Sequence, residues 1–568
     1  MVKSDKKSRS PKLLIIGVDG ADPDLIEAFV QKGVMPVFAG LIKQGAYGPL
    51  AGEIPPTTLP AWTSFMTGTA PSTHGLPDFT VKDGYAVRFT GGKDRRVPTW
   101  LEHLEQHGLK VGSAWFPATY PPLPLNGYQI SGWDSPVTSF GDASFVKPKS
   151  LHKELVAAFP KLHLSFDAIN EFDDSPNWYE NAAANLPARV SNRADMAIWL
   201  LKKHPVDVAA FYFGETDTVS HHFWAHHDAN SPRRPFDKTS FALKDAIENV
   251  YRAVDDAVGR LIHEVGNETS VIILSDHGSC GSSNVALHLN RFLESNGFLT
   301  FKKSRAKSLF FQSDFFRGKM VAHIPHRMRR TLFRLAGGFA PAFVESKLRF
   351  QGINWSETVA FSEEITYAPS IWFNQLGREP KGTLNLKDRA RLTRDLSDTL
   401  KSWTTADGTN LISKVIPRED LHTGKHIGLF PDLILKLNQI DNYTPVCLPS
   451  GGKSGLVLEK LDKKLGRKGR SLPGCHADNG ILLISSKTIL HTKITGGSLK
   501  DIAGIICKIT KVPAASWFES TPITGLPFAD KISSSQASPP DSPAVSRSYT
   551  HVEERVVADR LKRLGYLE

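Results

Sequence analysis

The sequence predicts an α/β fold in which a doubly wound, mostly parallel β-sheet carries inserted cap segments. Continuous apolar runs, typical of strands buried on both faces of a parallel sheet, occur at 12–19, 206–213 and 270–274. Segments with helical spacing of apolar residues follow or precede these runs, at 24–32, 194–203 and 241–265. Each apolar run ends at or just before an acidic residue. Because ligands of such sheets collect at the carboxyl ends of the strands, the same pattern predicts where a functional site lies.

Composition narrows the class of protein. The net charge of +11 favours anionic partners such as phosphoryl compounds, nucleic acid or acidic lipid. The four cysteines are widely spaced and form no disulfide framework or metal pattern, which fits a reduced compartment. No apolar stretch suits a signal-peptide core or a membrane span, so we expect a cytoplasmic protein.

We expect a catalytic domain at 10–530 with cap insertions at about 117–190 and 300–355, then a Ser/Pro-rich linker at 531–548 and a C-terminal helix at 549–568.

Thr58 is the candidate nucleophile. Pro55, Pro56 and Pro60 restrict the backbone around it, so its hydroxyl is held on a stiff, non-helical corner. The run 63–68 is typical of a short helix that ends at a glycine. A threonine hydroxyl is a poor nucleophile at neutral pH, so a base, a lowered pKa or a metal must activate it.

Six residues are candidate metal ligands. Asp217 and His221 are four residues apart, so a helical turn would place both on one face. Asp276 and His277 directly follow a strand, and the glycine after them permits the irregular geometry that lets both reach one ion. Each candidate also has a structural interpretation, such as a helix-capping aspartate or a surface Asp–His hydrogen bond. The full set is Asp19, Asp217, His221, Asp276, His277 and His476.

Together with Thr58, these three aspartates and three histidines fit a centre of two divalent metal ions. One ion would take Asp19, Thr58, Asp276 and His277, and the other would take Asp217, His221 and His476. A mixed set of oxygen and nitrogen donors suits zinc, or alternatively manganese, better than calcium or magnesium. Two ions roughly 4 Å apart would activate the hydroxyl and share the developing charge of an in-line phosphoryl transfer.

The chain resembles the alkaline phosphatase superfamily in its type I phosphodiesterase/nucleotide pyrophosphatase branch, within the group described as phosphohydrolases and phosphomutases. The resemblance implies an alkaline phosphatase-like fold, two divalent metals divided as above, and a phospho-enzyme on Thr58 that water later hydrolyses. The matching elements are Gly17-Val18-Asp19-Gly20, Thr58-Leu59-Pro60-Ala61-Trp62 with Thr67-Gly68, His74-Gly75, Asp217 with His221 and Phe223-Trp224, Ser275-Asp276-His277-Gly278, Gly377-Arg378-Glu379-Pro380, Gly474-Cys475-His476 and Leu564-Gly565-Tyr566-Leu567-Glu568.

One departure from the family pattern bears on the substrate. Nucleotide pyrophosphatases place an asparagine shortly after the His-Gly element, where this chain has Asp78. Asp78 is therefore a candidate substrate contact that needs a cation beside it. A threonine nucleophile favours cleavage of a phosphodiester or pyrophosphate bond, whereas the missing asparagine favours a phosphomonoesterase or phosphomutase. The run 58–62 lacks the cysteine or serine precursor and the arginine of a sulfatase.

A basic stretch at 302–350 leaves a function of another class open. Its lysines and arginines lie among apolar residues, which fits peripheral contact with an anionic membrane, although a solvated cap face is the favoured interpretation. The alternative is a catalytically silent module that binds anionic polymer or membrane. The sequence has no specific nucleic-acid motif, and its complete ligand set favours an enzyme acting on a phosphorylated small molecule.

Overall fold

A computed structural model describes most of the chain between residues 10 and 526 and a few residues near its end. The described residues are 10–134, 143–160, 177–235, 241–302, 346, 349–367, 369–450, 455–461, 472–489, 491–526, 549, 553–554 and 556–558.

The strands of this part of the chain fall into one large sheet and several small ones. They are β1 (Leu13–Val18), β2 (Ala46–Ala51), β3 (Thr80–Asp83), β4 (Ala86–Phe89), β5 (Val111–Ala114), β6 (Tyr128–Ile130), β7 (Val146–Lys147), β8 (Val208–Phe213), β9 (Ser270–Leu274), β10 (Gly278–Leu287), β11 (Ala360–Phe361), β12 (Ser370–Phe373), β13 (Ile412–Pro417), β14 (Leu433–Leu437), β15 (Thr444–Cys447), β16 (Leu458–Lys460), β17 (Gly474–Ala477), β18 (Asn479–Ser485) and β19 (Thr492–Lys493).

The large sheet has nine strands in the order β19-β2-β18-β9-β1-β8-β5-β6-β7. Its central strands β9, β1, β8, β5 and β6 are parallel, whereas β18 and β7 run antiparallel to their neighbours. Every residue of β1 and of β8 is buried, as their continuous apolar sequences predict. The predicted α/β fold with a mostly parallel sheet is confirmed.

The helices supply most of the layers around this sheet. The α-helices are Pro23–Gln31, Pro36–Gln44, Thr58–Thr67, Pro71–His74, Trp100–Gln106, Lys149–Ala158, Trp178–Lys203, Glu215–His227, Ala246–Val265, Leu289–Ser295, Arg389–Lys401, Arg418–Leu421 and Ile502–Thr510. Short 3-10 turns occur at Gly92–Asp94, Trp355–Glu357, Leu386–Asp388, Ile427–Leu429 and Leu499–Asp501. Within the described ranges no single helix has the length and apolarity to cross a membrane, and one pair bent by 107°, Pro23–Gln31 with Pro36–Gln44, meets that criterion only jointly.

A second hydrophobic core is formed mainly by the described residues within 287–302 and 349–447, which we call the second lobe. Its sheet has the order β11-β12-β14-β13, and the helix Arg389–Lys401 contributes three buried leucines to it. Phe292 and Trp403 stack in this core with ring centroids 3.9 Å apart. The described residues thus form two large hydrophobic clusters and a small third one of Ala286, Val446, Leu448 and Leu461. The long β10 follows the end of β9 and pairs with β15, β16 and β17.

Two segments join the sheets in ways that local sequence patterns do not indicate. Within the range 117–190, given above as a cap insertion, residues 128–130 form β6 of the central sheet. Residues 360–373 contribute β11 and β12 to the sheet of the second lobe. Between them the backbone turns at Glu364, which has φ of 54° and is held by hydrogen bonds from the backbone nitrogens of Asn290 and Ser450. Such non-local contacts leave no periodic signal in the sequence.

Other expectations concern residues outside the described ranges. The basic residues 303–345 and the Ser/Pro-rich 531–548 belong to this group, together with much of the predicted C-terminal helix. Of that last segment, residues 553–554 and 556–558 are helical, and Val557 and Ala558 are buried in the main core. The Tyr120 hydroxyl donates to Glu553 Oε1 at 2.9 Å, so this part of the C-terminal segment packs on the catalytic part of the chain.

Asp432 is the centre of a buried ionic cluster in the second lobe. Its carboxylate accepts two hydrogen bonds from Arg378, at 2.7 and 3.0 Å, and further ones from Arg389 at 2.5 Å and from the Phe373 backbone at 2.7 Å. Burial alone would raise the pKa of Asp432, but Arg378 and Arg418 hold that pKa below its usual value. The Gly377–Pro380 turn thus has a structural role, because Glu379 beside Arg378 accepts from Lys82 at 2.8 Å.

We predict that Asp432→Asn destabilises the protein by about 3 kcal/mol, because it removes a fully buried counter-charge from partly buried arginines. The midpoint of urea unfolding measures this loss. Since the pKa of Asp432 lies below its ordinary value, the contribution of its charge is complete at neutral pH and is lost as the pH falls below about 4. Arg391→Ala is the matched control, because Arg391 has a side chain 70% exposed and should leave stability within about 0.5 kcal/mol. Equal effects of the two variants would contradict the prediction.

Candidate functional site

The candidate site lies beyond the carboxyl ends of three adjacent strands, β9, β1 and β8. Asp19 directly follows β1, and the pair Asp276 and His277 follows β9. The helix Glu215–His227 begins two residues after β8 and carries Asp217 and His221 one turn apart. Parallel pairing of β1 with both neighbours brings these strand ends to the same edge of the sheet.

Thr58 reaches this edge as the first residue of the helix Thr58–Thr67. Its hydroxyl oxygen lies 3.4 Å from His277 Nε2, and its side chain is fully buried. The predicted short helix is present and is followed by Gly68, whose φ of 66° is the left-handed conformation that glycine favours. It begins at Thr58, so the expectation of a non-helical corner at Thr58 is wrong, and the residue lies in the first turn of this helix. The structure thus brings the candidate nucleophile to the cluster of donors.

His476 arrives at the site on a different element. It lies in β17, which pairs antiparallel with β10 and places His476 opposite Ser279. Gly474 permits this approach, because a Cβ at that position would lie 2.1 Å from the Ser220 carbonyl oxygen on the neighbouring helix. The rings of His476 and His277 stack with centroids 3.8 Å apart. Thr58 and the six candidate metal ligands therefore lie together at this edge of the sheet.

Asp19, Asp276 and His277 form one group with the spacing of a metal site, since their ligand atoms all lie within 4.8 Å of one another. His277 Nε2 is 3.2 Å from Asp276 Oδ2 and 3.6 Å from Asp19 Oδ1. Both of these carboxylate oxygens are buried and have no hydrogen-bond partner among the described residues. A buried carboxylate oxygen without a partner is costly, so this donor set fits a divalent cation.

A second group surrounds Asp217. Its Oδ1 lies 3.3 Å from His221 Nε2 and 3.5 Å from His476 Nε2, and the two histidine nitrogens are 2.9 Å apart. The ligand atoms of Asp217, His277 and His476 also lie within 4.8 Å of one another, so His277 adjoins both groups. One carboxylate and two imidazoles around one point suit zinc or a similar transition metal.

Backbone carbonyls orient the three histidines. Each donates its Nδ1–H to a carbonyl oxygen: His221 to Gly474 at 3.0 Å, His277 to Gly278 at 2.9 Å and His476 to Pro56 at 2.6 Å. This fixes the tautomer in which Nε2 carries the lone pair and faces the carboxylates. Metal-ligating histidines usually have such a partner on the second ring nitrogen.

The electrostatics of the site are those of crowded, buried negative charge. Burial raises the pKa of Asp19 well above its usual value, and the carboxylates of Asp276 and Asp217 raise it further. Burial also raises the pKa of Asp276 and lowers that of His277. Asp217 differs, because the charges and hydrogen bonds of His221 and His476 outweigh burial and hold its pKa well below the usual range. The site is therefore built for additional positive charge.

Three aromatic residues contact the site, and the sequence analysis proposed no functional role for any of them. Trp62 Nε1 donates to Asp19 Oδ2 at 3.1 Å, and the Tyr212 hydroxyl donates to the same oxygen. These bonds leave Asp19 Oδ1 directed at the first group of ligands. Tyr367, from the second lobe, stacks on His476 with ring centroids 5.1 Å apart. Apolar patterning identified none of them, because their polar partners are distant in sequence.

Asp78 belongs to neither ligand group. Burial raises the pKa of its carboxyl to about 6, and the charge of nearby Arg349 opposes part of this effect. Arg349 also binds Glu363 at 2.8 Å, so Asp78 adjoins an ionic contact of the second lobe. Arg349 is therefore a cationic side chain near Asp78, and the charge of Glu363 opposes its effect.

A cavity of about 1030 Å³ opens between the edge of the central sheet and the second lobe, and we call it the interlobe cleft. Its wall includes Tyr47, Pro56, Tyr367, Lys436 and His476. His476 therefore connects the metal-ligand cluster to the cleft.

Comparisons with known proteins agree with this geometry. Residues 13–436 match the model of the type I phosphodiesterase / nucleotide pyrophosphatase family. Phosphonoacetate hydrolase from Sinorhizobium meliloti 1021, solved with phosphonoformate, is 12% identical with a TM-score of 0.51, over 89% of this chain and 96% of that chain. Murine ectonucleotide pyrophosphatase/phosphodiesterase 5, an inactive threonine-to-alanine variant solved with AMP, is 14% identical with a TM-score of 0.46, over 89% and 96% of the two chains. A search of curated protein sequences found no match.

At these identities the likeness to solved structures concerns the fold, an alkaline phosphatase-like α/β arrangement. The family match says more, because the matched residues include Asp19, Thr58, Asp217 and Asp276. The chain belongs to the type I phosphodiesterase/nucleotide pyrophosphatase family, and it is a metal-dependent hydrolase of the alkaline phosphatase superfamily.

Proposed function

We propose that this protein is a two-metal phosphohydrolase that cleaves a phosphodiester or pyrophosphate bond through a phospho-threonine intermediate on Thr58. The observation that carries the proposal is the convergence of a buried threonine hydroxyl with two groups of carboxylate and imidazole donors. Bound metal ions would meet both needs of this site, because they activate the threonine hydroxyl and compensate the negative charge of the buried carboxylates. This combination favours metal-assisted phosphoryl transfer.

The two groups have separate tasks in this proposal. Asp19, Asp276, His277 and Thr58 would hold one ion, and the second group, Asp217 with His221 and His476, would hold the other. The ions supply Lewis-acid stabilisation of the charge that develops on the phosphoryl oxygens and lower the pKa of hydroxyl groups beside them. Zinc is the proposed metal and manganese the alternative, because both accept mixed nitrogen and oxygen ligands.

Thr58 carries the covalent step. Its Oγ1 loses a proton and forms a bond to phosphorus, while the leaving-group oxygen departs with the electron pair of its broken bond and takes up a proton. Water then attacks phosphorus, so that Thr58 recovers its hydroxyl and the phosphoryl product is released. The position of Thr58 at the start of a ten-residue helix favours this chemistry, because the helix N-terminus stabilises negative charge on its first turn. Burial of Thr58 keeps competing water away until the leaving group has departed.

A phosphomonoesterase or phosphomutase is the second candidate function. Asp78 favours it, since it stands where nucleotide pyrophosphatases have an asparagine, and its pKa of about 6 makes its charge sensitive to pH near neutrality. A carboxylate repels the phosphoryl oxygens of a substrate unless Arg349 or a proton offsets its charge.

The substrate class is tested with a chromogenic phosphodiester and the matching phosphomonoester on the zinc- or manganese-loaded protein. We expect the diester to be cleaved with the higher kcat/KM. We also expect Asp78→Asn to increase the diester preference, because it removes a negative charge next to the phosphoryl group. A preference of the wild-type protein for the monoester would move the assignment to the second candidate.

Thr58→Ala should lower kcat by about 10³-fold or more, because no other hydroxyl is proposed to attack phosphorus. Thr58→Ser should keep measurable activity. Thr67→Ala is the matched control, since Thr67 lies at the other end of the same helix and its hydroxyl donates to the Thr63 carbonyl oxygen at 2.8 Å. Trapping of radiolabelled phosphate on wild-type protein but not on Thr58→Ala checks the intermediate. Full activity in Thr58→Ala would rule out this nucleophile.

The bound-metal content tests the division of ligands. We expect about two equivalents of metal in the wild-type protein and about one in each of Asp276→Ala and His221→Ala, measured by plasma mass spectrometry after gel filtration. A chelator should abolish activity, and added metal should restore it in the wild-type protein. Loss of both ions from both variants would show that the residues form one joint centre instead of two sites.

A further inference from the structure

Two of the four cysteines lie opposite each other next to the metal-ligand cluster. Cys280 in β10 and Cys475 in β17 are direct partners in an antiparallel ladder, although 194 residues separate them in the sequence. Both are free thiols, and Cys280 Sγ also lies 3.5 Å from the Thr444 hydroxyl oxygen. Cys447 and Cys507 are buried elsewhere, in the second lobe and in the main core.

The two thiols face the interlobe cleft. Side chains alternate between the two faces of a ladder, so Cys280 and Cys475 lie on the face opposite to that of Ser279 and His476. Both cysteines line the cleft, and Cys280 is only partly buried, whereas Cys475 is 6% exposed. A small solute in the cleft can therefore reach Cys280 first, with Cys475 directly behind it.

The spacing suits a bond between the two sulfurs. Directly opposed residues of an antiparallel pair have Cα atoms about 4.5–5.5 Å apart, which lies within the range of about 4.4–6.8 Å that disulfides span. Their Cβ atoms, about 4.5–5.5 Å apart, exceed the mean disulfide separation of about 3.8 Å, so the two strands must draw together locally. The movement needed is about 1 Å, and a disulfide held under such strain is easily reduced.

We propose that Cys280 and Cys475 form a reversible disulfide when a peroxide enters the cleft, and that this bond weakens the neighbouring metal site through His476. The first part stands on the ladder geometry alone, whereas the second rests on the proposed function. The Cys280 thiol reduces hydrogen peroxide and becomes a sulfenic acid, with release of one water. The Cys475 thiol then attacks that sulfur, the disulfide forms and a second water leaves. A dithiol reverses the reaction and is itself oxidised to a disulfide.

The path from the disulfide to the metal site is short. His476 follows Cys475 directly, and Cys280 Sγ already donates to the His476 carbonyl oxygen at 3.4 Å. The His476 ring is held between its Nδ1 bond to Pro56 and its contacts with His221 and His277. A shift of β17 by a fraction of an ångström changes these distances, and catalytic geometry tolerates such shifts poorly.

The test begins with the covalent link. Full-length, reduced, metal-loaded protein is treated with hydrogen peroxide, its free thiols are alkylated in denaturant, and its peptides are analysed without reduction. We expect a cross-linked species containing residues 280 and 475, lighter by two hydrogens than the separate peptides and absent after dithiothreitol. Cys507→Ser should form the same link, whereas Cys280→Ser should not. No link in the wild-type protein, or a link to Cys447 or Cys507 instead, would overturn the proposal.

The second measurement concerns the metal site. In the oxidised wild-type protein we expect a lower metal content and a phosphodiesterase activity reduced by about 10-fold or more, both restored by dithiothreitol. Cys280→Ala, a change at the partly exposed position, should keep both after the same treatment. Formation of the link without a change in metal content would overturn the coupling. Metal content is read independently of activity, so an inactive protein would refute the proposed function and leave this inference testable.

Discussion

Three buried carboxylates lie together at one edge of the central sheet, and the surrounding elements are arranged to compensate their negative charge. Asp19, Asp217 and Asp276 each follow one of three adjacent strands, and each is at most 3% exposed. Such carboxylates cost several kcal/mol unless positive charge compensates them. The neighbouring elements serve this requirement: three histidines present Nε2, and Trp62 and Tyr212 bind the oxygen of Asp19 that faces away from the cluster.

The parts of the site that the sequence predicts are those that depend on local pattern. A continuous apolar run is typical of a buried strand and predicts that Asp19 and Asp276 lie at strand ends. The four-residue spacing of Asp217 and His221 predicts that both lie on one face of a helix. His476 was identifiable as a candidate, but its path to the site was not. It arrives through the pairing of β17 with β10, a contact between segments about two hundred residues apart that no local period encodes.

The second lobe escaped prediction for a related reason. Its strands are short, its sheet is assembled from distant segments, and its turn at Glu364 requires a positive φ that three hydrogen bonds from Asn290 and Ser450 maintain. Arg378 and Glu379 belong to a recurrent motif, yet their contacts are with Asp432 and Lys82 and serve to hold this lobe together. These two residues therefore act in the packing of the second lobe, which forms one wall of the interlobe cleft.

The helix Thr58–Thr67 is buried at all ten of its positions, unlike an ordinary amphipathic helix with a solvated face. No position on it lies on a solvated surface, so a substitution there has to fit among packed side chains. Insertions and bulky changes in this segment would disturb the aromatic residues Phe65, Phe116 and Tyr212 that pack around Trp62. The same property makes the helix a poor place for tags, labels or stabilising surface substitutions, whereas the exposed faces of the second lobe accept them.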